Sequence, residues 1–147
     1  YVNPNILNLE VLEEVSNYLN EKDVNITSLD FEESVKEAKK GDFIYFDPPY
    51  YPLSKTSSFV GYQRSGFNDE DQKRLKRLAD KLVQRGCKVI LSNSNADFIH
   101  QLYNNEIEEA KSDVKYFFVE LLNARRSINS KGHKRGEIKE VLIISKD

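Results

Sequence analysis

Residues 43–50 read FIYFDPPY, and the interpretation of the whole chain depends on this stretch. Four apolar or aromatic residues predict a buried strand, which leads directly into Asp47, two prolines and Tyr50. Pro48 and Pro49 fix their own φ angles and restrict the residue before each, so the turn is rigid. Asp47 and a carbonyl of the Pro-Pro segment can accept hydrogen bonds from an amine, and Tyr50 offers a ring for stacking. The stretch predicts a pocket for a flat ring that bears an amino group.

Two plainer interpretations of this stretch stay open. Asp and Pro are common turn residues where a strand ends. Residues 48–51, PPYY, also fit the P-P-x-Y peptide ligand that WW domains bind. That ligand requires an exposed polyproline segment, whereas an apolar strand leads straight into this one. We therefore favour the pocket.

The composition is typical of one soluble globular domain. The chain has 147 residues, 39% hydrophobic and 31% charged, with a formal net charge of -2. No apolar run approaches the ~20 residues of a membrane span, so we expect no membrane association. Two histidines, the single Cys87 and scattered carboxylates lack metal-ligand spacing, so we also predict no metal site.

Helical and strand patterns alternate along the chain. Helical patterns are predicted after Asn3, at 32–40 up to Gly41, from Asn68 to Gly86, and at 96–103. Strands are predicted at 24–27, 43–46, 88–92, 115–122 and 138–145. This alternation predicts an α/β fold with a mostly parallel sheet. The last two strands are joined without a helix, so we expect an antiparallel strand at one edge near the C-terminus.

Polar clusters follow the predicted strands at Asp30–Phe31, at 47–50 and at 92–95. In open parallel sheets, ligands bind beyond the carboxyl ends of the strands, so we expect these clusters to share one rim. Asp30 could accept the amine of an adenine ring while Phe31 packs on its face. Alternatively, Asp30 caps the next helix and Phe31 lies in the core.

A basic segment separates the last two predicted strands. Between 125 and 135 it contains arginine, lysine and histidine but no acidic residue. Such a patch on a near-neutral protein is suited to phosphates, although a solvated charged loop would look the same.

The pattern as a whole resembles the Dam-type, D12 class of DNA adenine-N6 methyltransferases. The resemblance runs from about Ser28 to the end of the chain. It is carried by Asp30-Phe31, the DPPY sequence, Pro52-Leu53-Ser54, Ser92-Asn93, Arg126-Ser127-Ile128-Asn129 and Lys134-Arg135-Gly136.

This resemblance implies a Rossmann-like methyltransferase sheet, of which the chain would form part. It implies that the Asp47–Tyr50 segment is catalytic: Asp47 and the Pro48 carbonyl bind the amine of a flipped-out adenine, and Tyr50 stacks on the ring. The amine would attack the methyl group of S-adenosylmethionine directly. Asp30 and Phe31, together with Asp47, would bind that cofactor.

The resemblance also implies double-stranded DNA as the partner, with GATC as the family-level target. Residues that would contact this DNA are Arg125, Arg126, Asn129, Lys134 and Arg135. A cytoplasmic protein of a bacterium or an archaeon is expected.

Two features of the family are missing from the sequence, namely a Phe-x-Gly-x-Gly cofactor loop and a helical target-recognition domain. We therefore expect residues 1–147 to be the C-terminal part of a catalytic domain, which folds but does not methylate DNA alone. A second chain could supply the missing segments. The alternatives are a non-catalytic DNA-binding or interaction fragment, or a related methyltransferase that acts on RNA or a protein amide.

Overall fold

The computed structural model of the chain describes residues 7–21, 23–53, 66–125 and 137–146. The chain divides into two units, Tyr1–Ser34 and Val35–Asp147. All described strands, and the DPPY sequence, belong to the second unit.

The N-terminal unit contains two helices among its described residues. Helix α1 (Leu9–Leu19) begins after Asn8, whose side chain accepts a hydrogen bond from the Val11 amide at 3.5 Å. The predicted cap Asn3 lies outside the described residues. Helix α2 (Phe31–Ser34) is a single turn.

Two predicted elements near the N-terminus are wrong. Residues 24–27 form no strand, because a strand needs a hydrogen-bonded neighbour and no described strand pairs with them. The helix predicted at 32–40 stops at Ser34 and gives way to turns. Just before β1, the side chain of Asp42 accepts a hydrogen bond from the Lys39 amide at 2.9 Å, which favours a turn there over a helix that continues to Lys40.

A strand, a helix and a second strand open the C-terminal unit: β1 (Phe43–Phe46), α3 (Asp69–Gln84) and β2 (Lys88–Ser94). β1 and β2 pair in parallel, with Phe46 opposite Leu91. Parallel neighbours require a crossover connection, which α3 provides. All three elements were expected from the sequence, and they are confirmed.

Local signals fix both ends of α3. The Asn68 side chain accepts hydrogen bonds from the Glu70 amide at 2.8 Å and the Asp71 amide at 3.1 Å, and the Asp71 carboxylate accepts one from the Asn68 amide. Beyond the helix, Gly86 has a φ of +90°, and a Cβ built there would lie 2.9 Å from Lys40 Cγ. Glycine therefore meets both a conformational and a steric requirement.

The remaining described elements are α4 (Asp97–Tyr103), a 3₁₀ helix (Glu108–Ala110), β3 (Phe117–Arg125) and β4 (Glu137–Ser145). The 3₁₀ helix has no counterpart among the predicted elements. Within the described part of the chain, every helix is too short or too polar to span a membrane.

The described strands form one mixed sheet in the order β1-β2-β4-β3. β1 and β2 are parallel, whereas β4 is antiparallel to both β2 and β3. Consequently β1, β2 and β3 point in the same direction, and β4 alone is reversed. The expected antiparallel pairing of the last two strands is confirmed.

Two expectations about this sheet fail. The sheet is not mostly parallel, because two of the three described pairings are antiparallel. The reversed strand is also interior rather than at an edge. Burial explains this position: Val141 and Ile143 of β4 are buried, whereas Phe118 and Leu121 of β3 are exposed. The core packs around β2 and β4, and its fully buried aliphatic members are Leu75, Leu82, Val89, Leu91, Ile99, Leu102, Val141 and Ile143.

Candidate active site

Asp47 follows the last residue of β1 and lies beside Ser92 of β2. The Ser92 hydroxyl donates a hydrogen bond to Asp47 Oδ1 at 2.6 Å. The Tyr45 hydroxyl donates in turn to Ser92 Oγ at 3.1 Å. Ser92 is buried while Asp47 is exposed. A buried group of the neighbouring strand therefore holds one oxygen of an accessible carboxylate.

Buried amide side chains hold the Pro-Pro turn. Gln72 Nε2 of α3 donates a hydrogen bond to the Pro49 carbonyl at 3.1 Å. Asn93 Oδ1 of β2 accepts one from the Tyr51 amide at 2.9 Å, and Asn93 Nδ2 donates to Gln72 Oε1 at 3.2 Å. Ser94 Oγ donates to the Tyr51 carbonyl at 2.6 Å. The turn is thus attached to both α3 and β2.

Tyr50 is the most exposed aromatic residue of this turn, with 40% of its surface accessible. Its hydroxyl donates to Glu140 Oε2 of β4 at 3.4 Å, a long hydrogen bond. Partial burial raises the pKa of the Tyr50 phenol; a hydrogen bond with Ser92 opposes this shift, and the nearby Glu140 and Asp47 carboxylates add to it. The ring is therefore neutral at physiological pH and has accessible surface for stacking.

A pocket of about 440 Å³ lies along the turn. Its lining residues are Pro49, Tyr50, Tyr51, Pro52, Phe67, Asn68 and Asp69. Tyr51 stacks on Phe98 of α4, with ring centroids 4.5 Å apart. Burial, and secondarily the Asp69 carboxylate, raise the pKa of the Tyr51 phenol. The walls are chiefly proline and aromatic rings with a few polar groups, an arrangement suited to a flat organic ring.

Asp30 and Phe31 belong to the N-terminal unit. Asp30 Oδ1 accepts a hydrogen bond from the Glu32 amide at 2.9 Å, and its carbonyl accepts one from Ser34 Oγ at 3.0 Å. Asp30 thus caps α2, as the plainer interpretation predicted, and Phe31 is partly exposed rather than in the core. A cofactor-binding role for the two residues stays a prediction.

The predicted DNA contacts fall mainly outside the described residues. Arg125 is the last residue of β3 and pairs with Glu137 of β4, whereas Arg126, Asn129, Lys134 and Arg135 lie in the undescribed segment 126–136. Because β1 and β3 point the same way, Phe46 and Arg125, the last residues of these strands, lie at the same end of the strands but on opposite edges of the sheet. DNA binding by these residues stays a prediction.

Sequence reasoning missed Gln72. A signal was present, since Gln72 interrupts the apolar stripe of α3 at a position that faces the core. Among the described residues, no cluster of three or more His, Cys, Asp or Glu side chains is placed to bind a metal.

Comparison with known proteins gives a consistent result. A family model described as D12 class N6 adenine-specific DNA methyltransferase matches residues 1–116. The type II methyltransferase M1.LlaDCHI of Lactococcus lactis subsp. cremoris is 42% identical over 143 residues, which are 97% of this chain and 46% of that protein.

Two further relatives extend the similarity to an archaeon and to an enteric bacterium. The type II methyltransferase M.MjaIII of Methanocaldococcus jannaschii is 43% identical over 147 residues, 99% of this chain and 46% of that protein. The DNA adenine methylase of Escherichia coli is 33% identical over 116 residues, 79% of this chain and 38% of that protein. The chain spans about half the length of the first two relatives.

Proposed function

We propose that this chain, which belongs to the D12 class of N6 adenine-specific DNA methyltransferases, catalyses methyl transfer from S-adenosylmethionine to the exocyclic amine of adenine in DNA. The observation that carries the proposal is the Ser92-held carboxylate of Asp47, next to the aromatic pocket of the Pro-Pro turn. We further propose that the chain forms the catalytic portion of its enzyme and acts in a restriction-modification system, as the names of the type II relatives suggest.

Asp47 and the Pro-Pro turn would orient the target amine. Ser92 engages Asp47 Oδ1, so Oδ2 is the oxygen that would accept a hydrogen bond from the amine. Gln72 already donates to the Pro49 carbonyl, which makes the Pro48 carbonyl the better second acceptor. Two acceptors at fixed positions direct the nitrogen and stabilise the positive charge that it gains during transfer. Tyr50 would stack on the flipped base.

The residues in the chain also fit part of the cofactor. Asp30 is an exposed carboxylate and Phe31 a partly exposed ring, a pair that matches the polar and aromatic parts of adenosine. When bound, S-adenosylmethionine supplies an electrophilic methyl group on a sulfonium centre.

DNA would bind at the end of the sheet where β1 and β3 terminate, since the DPPY turn follows β1 and the basic segment follows β3 in the sequence. Arg125, Arg126, Lys134 and Arg135 would contact phosphates, and Asn129 would add a polar contact. GATC is the target site that the resemblance favours. A cytoplasmic location fits a DNA substrate and stays an expectation.

Transfer of a labelled methyl group tests the proposal. The full-length product of the gene is incubated with methyl-labelled S-adenosylmethionine and with double-stranded DNA, single-stranded RNA or a glutamine-containing peptide. We expect N6-methyladenine in the digested DNA. Label in RNA or peptide alone would assign the chain to a different substrate, and DNA binding without any transfer would favour a non-catalytic module. The 147-residue chain, assayed in parallel, tests whether it is inactive alone.

A further inference from the structure

A chain of two hydrogen bonds converges on Asp47. Tyr45 donates to Ser92, and Ser92 donates to Asp47 Oδ1. We infer that Ser92 is a positioning residue, which fixes the Asp47 carboxylate so that Oδ2 faces the target amine. The inference deepens the proposed function and rests on it.

The order of donors gives the Ser92 hydroxyl one orientation. A serine hydroxyl has a single hydrogen and can also accept. Because a carboxylate oxygen can only accept, the Ser92 hydrogen points to Asp47, and Tyr45 donates to a lone pair of Ser92 Oγ; the hydrogen bond between Tyr50 and Ser92 then also uses a lone pair of this oxygen. A bond of 2.6 Å to a carboxylate is in the range of strong, charge-assisted hydrogen bonds. Donation from Tyr45 strengthens it further, since linked hydrogen bonds polarise each other.

The register of the sheet makes Ser92 a rigid support. Phe46 pairs with Leu91, so the residues that follow, Asp47 and Ser92, are also adjacent. On its other side Ser92 pairs with Leu142 of β4. Ser92 therefore lies in an interior strand and is buried, whereas Asp47 has left its strand and is exposed. The Asp47 side chain, although it lies in a turn, is therefore held by a residue of an interior strand.

Replacement of the hydroxyl should slow the chemical step. For Ser92→Ala in the full-length gene product we expect single-turnover transfer to fall by about 10–100-fold, because small misplacement of a reacting group has an effect of this size. Dissociation constants for DNA and S-adenosylmethionine should stay within a few fold. Ser92→Thr, which keeps the hydroxyl on a strand-compatible side chain, should restore most of the rate. Tyr45→Phe, which leaves Ser92 free to turn, should give a smaller loss.

Ser145→Ala is the matched control. Ser145 is another buried serine of the same sheet, and its Oγ accepts a hydrogen bond from the Val89 amide at 3.0 Å, away from Asp47. Removal of this hydroxyl should lower the thermal midpoint as much as Ser92→Ala does, yet leave transfer unchanged. A rate loss equal in both variants would make the effect one of general stability and overturn the inference.

A second measurement does not depend on transfer. Three-bond NMR couplings of Asp47 should report one χ1 rotamer in the native protein and in Ser92→Thr, and rotamer averaging in Ser92→Ala.

If the wild-type protein transfers methyl groups and Ser92→Ala does so at the same rate, the positioning role is rejected and the proposed function stands. If the wild-type protein transfers none, the proposed function fails, and the positioning role for transfer fails with it.

Discussion

The two carboxylate oxygens of Asp47 have different surroundings. Oδ1 accepts a hydrogen bond from Ser92, which is buried and therefore shielded from competing water. Asp47 itself is exposed at the end of β1. An acceptor prepared in this way needs little reorganisation when a positively charged amine forms beside it. In the proposed function, Asp47 Oδ2 would therefore be one of the two acceptors that bind the target amine, together with the Pro48 carbonyl.

We predict that Asp47→Ala abolishes most methyl transfer. Loss of a preorganised group that stabilises transition-state charge commonly lowers the rate by about 10²–10³-fold. Single-turnover kinetics with saturating DNA measure the change, and DNA affinity should vary by only a few fold. Asp42→Ala is the control, since Asp42 is a carboxylate just before the other end of β1, where it interacts with Lys39. Near-normal transfer by Asp47→Ala would reject its catalytic role.

Tyr50 allows a second prediction at this scale. Tyr50→Ala should weaken retention of the flipped base, because stacking of a base on an aromatic ring is worth about 1–3 kcal/mol. A DNA duplex with 2-aminopurine at the target position should then show a smaller fluorescence increase. Tyr50→Phe, which removes only the hydroxyl that contacts Glu140, should behave like the wild type. An equal loss in both variants would assign the effect to the hydroxyl instead of the ring.

The sequence alone predicts the DPPY turn of this site but not every residue that contacts the turn, and the reason is physical. The DPPY turn can be found because strand, Asp and prolines are contiguous. The expected meeting of 47–50 with 92–95 at one rim is confirmed by the contacts of Ser92 with Asp47 and of Asn93 with Tyr51. The contact between Gln72 and the Pro49 carbonyl could not be inferred in this way, since Gln72 lies on the helix and follows no strand. The available signal for this contact was that Gln72, a polar residue, occupies a core-facing position of α3.

Helix α3 contains a buried ion pair in addition to its apolar stripe. Lys76 and Asp80 are 1% and 4% exposed, and Lys76 Nζ donates to Asp80 Oδ2 at 2.6 Å. The same ammonium donates to Asn105 Oδ1 at 2.8 Å and Ser112 Oγ at 2.9 Å. The cluster connects α3 to the segment that precedes β3.

We predict that Lys76→Met destabilises the fold by about 3–5 kcal/mol, because it leaves the Asp80 carboxylate buried without a compensating charge. The double variant Lys76→Met/Asp80→Leu should recover most of the loss, since apolar replacement of both partners removes that charge. Chemical denaturation measures both. Lys81→Met, on the exposed side of the same helix, should change the unfolding free energy by less than about 0.5 kcal/mol. A double variant as unstable as the single one would contradict this account.

The helices and strands whose ends or apolar runs are marked in the local sequence were predictable. α3 has a capping residue at one end and a required glycine at the other, and β1 is a short apolar run, so both emerge from the sequence. Residues 24–27 have strand-forming side chains but no partner strand, and pairing is not a local property. The excess of antiparallel pairings and the interior position of the reversed strand were missed for the same reason, because a connection without a helix shows that β3 and β4 are antiparallel but not which of them is interior.

Charge is distributed unevenly over the molecule, although the net value is only -2. The basic segment follows β3 in the sequence, and β3 ends at the same end of the sheet as β1, whereas Lys39, Lys40 and Lys88 lie before or at the start of β1 and β2, at the other end of the strands. The effects of charge reversal on DNA binding can therefore be compared between these two groups of basic residues.

We predict that reversal of charge at Arg126, Lys134 and Arg135 weakens DNA binding for all sequences alike. Each lost phosphate contact should lower the slope of log affinity against log salt by about 0.9, because fewer counterions are released on binding. Fluorescence anisotropy over a salt series measures this slope. The same change at Lys39, Lys40 and Lys88 should leave it nearly unaltered. A shift in sequence preference at constant slope would place the basic segment at base edges instead of phosphates.

The interior position of β4 also has a consequence for biosynthesis. β2 and β3 each pair with β4, so neither can complete its hydrogen bonding until residues 137–145 have left the ribosome. Ser92 and Asn93, which support the catalytic turn, lie on one of these waiting strands. At translation rates of about 5–20 residues per second, the unpaired strands stay exposed to solvent, and to neighbouring nascent chains, for seconds. A nascent protein of this design would need protection against aggregation most in the interval between the synthesis of β2 and the emergence of β4.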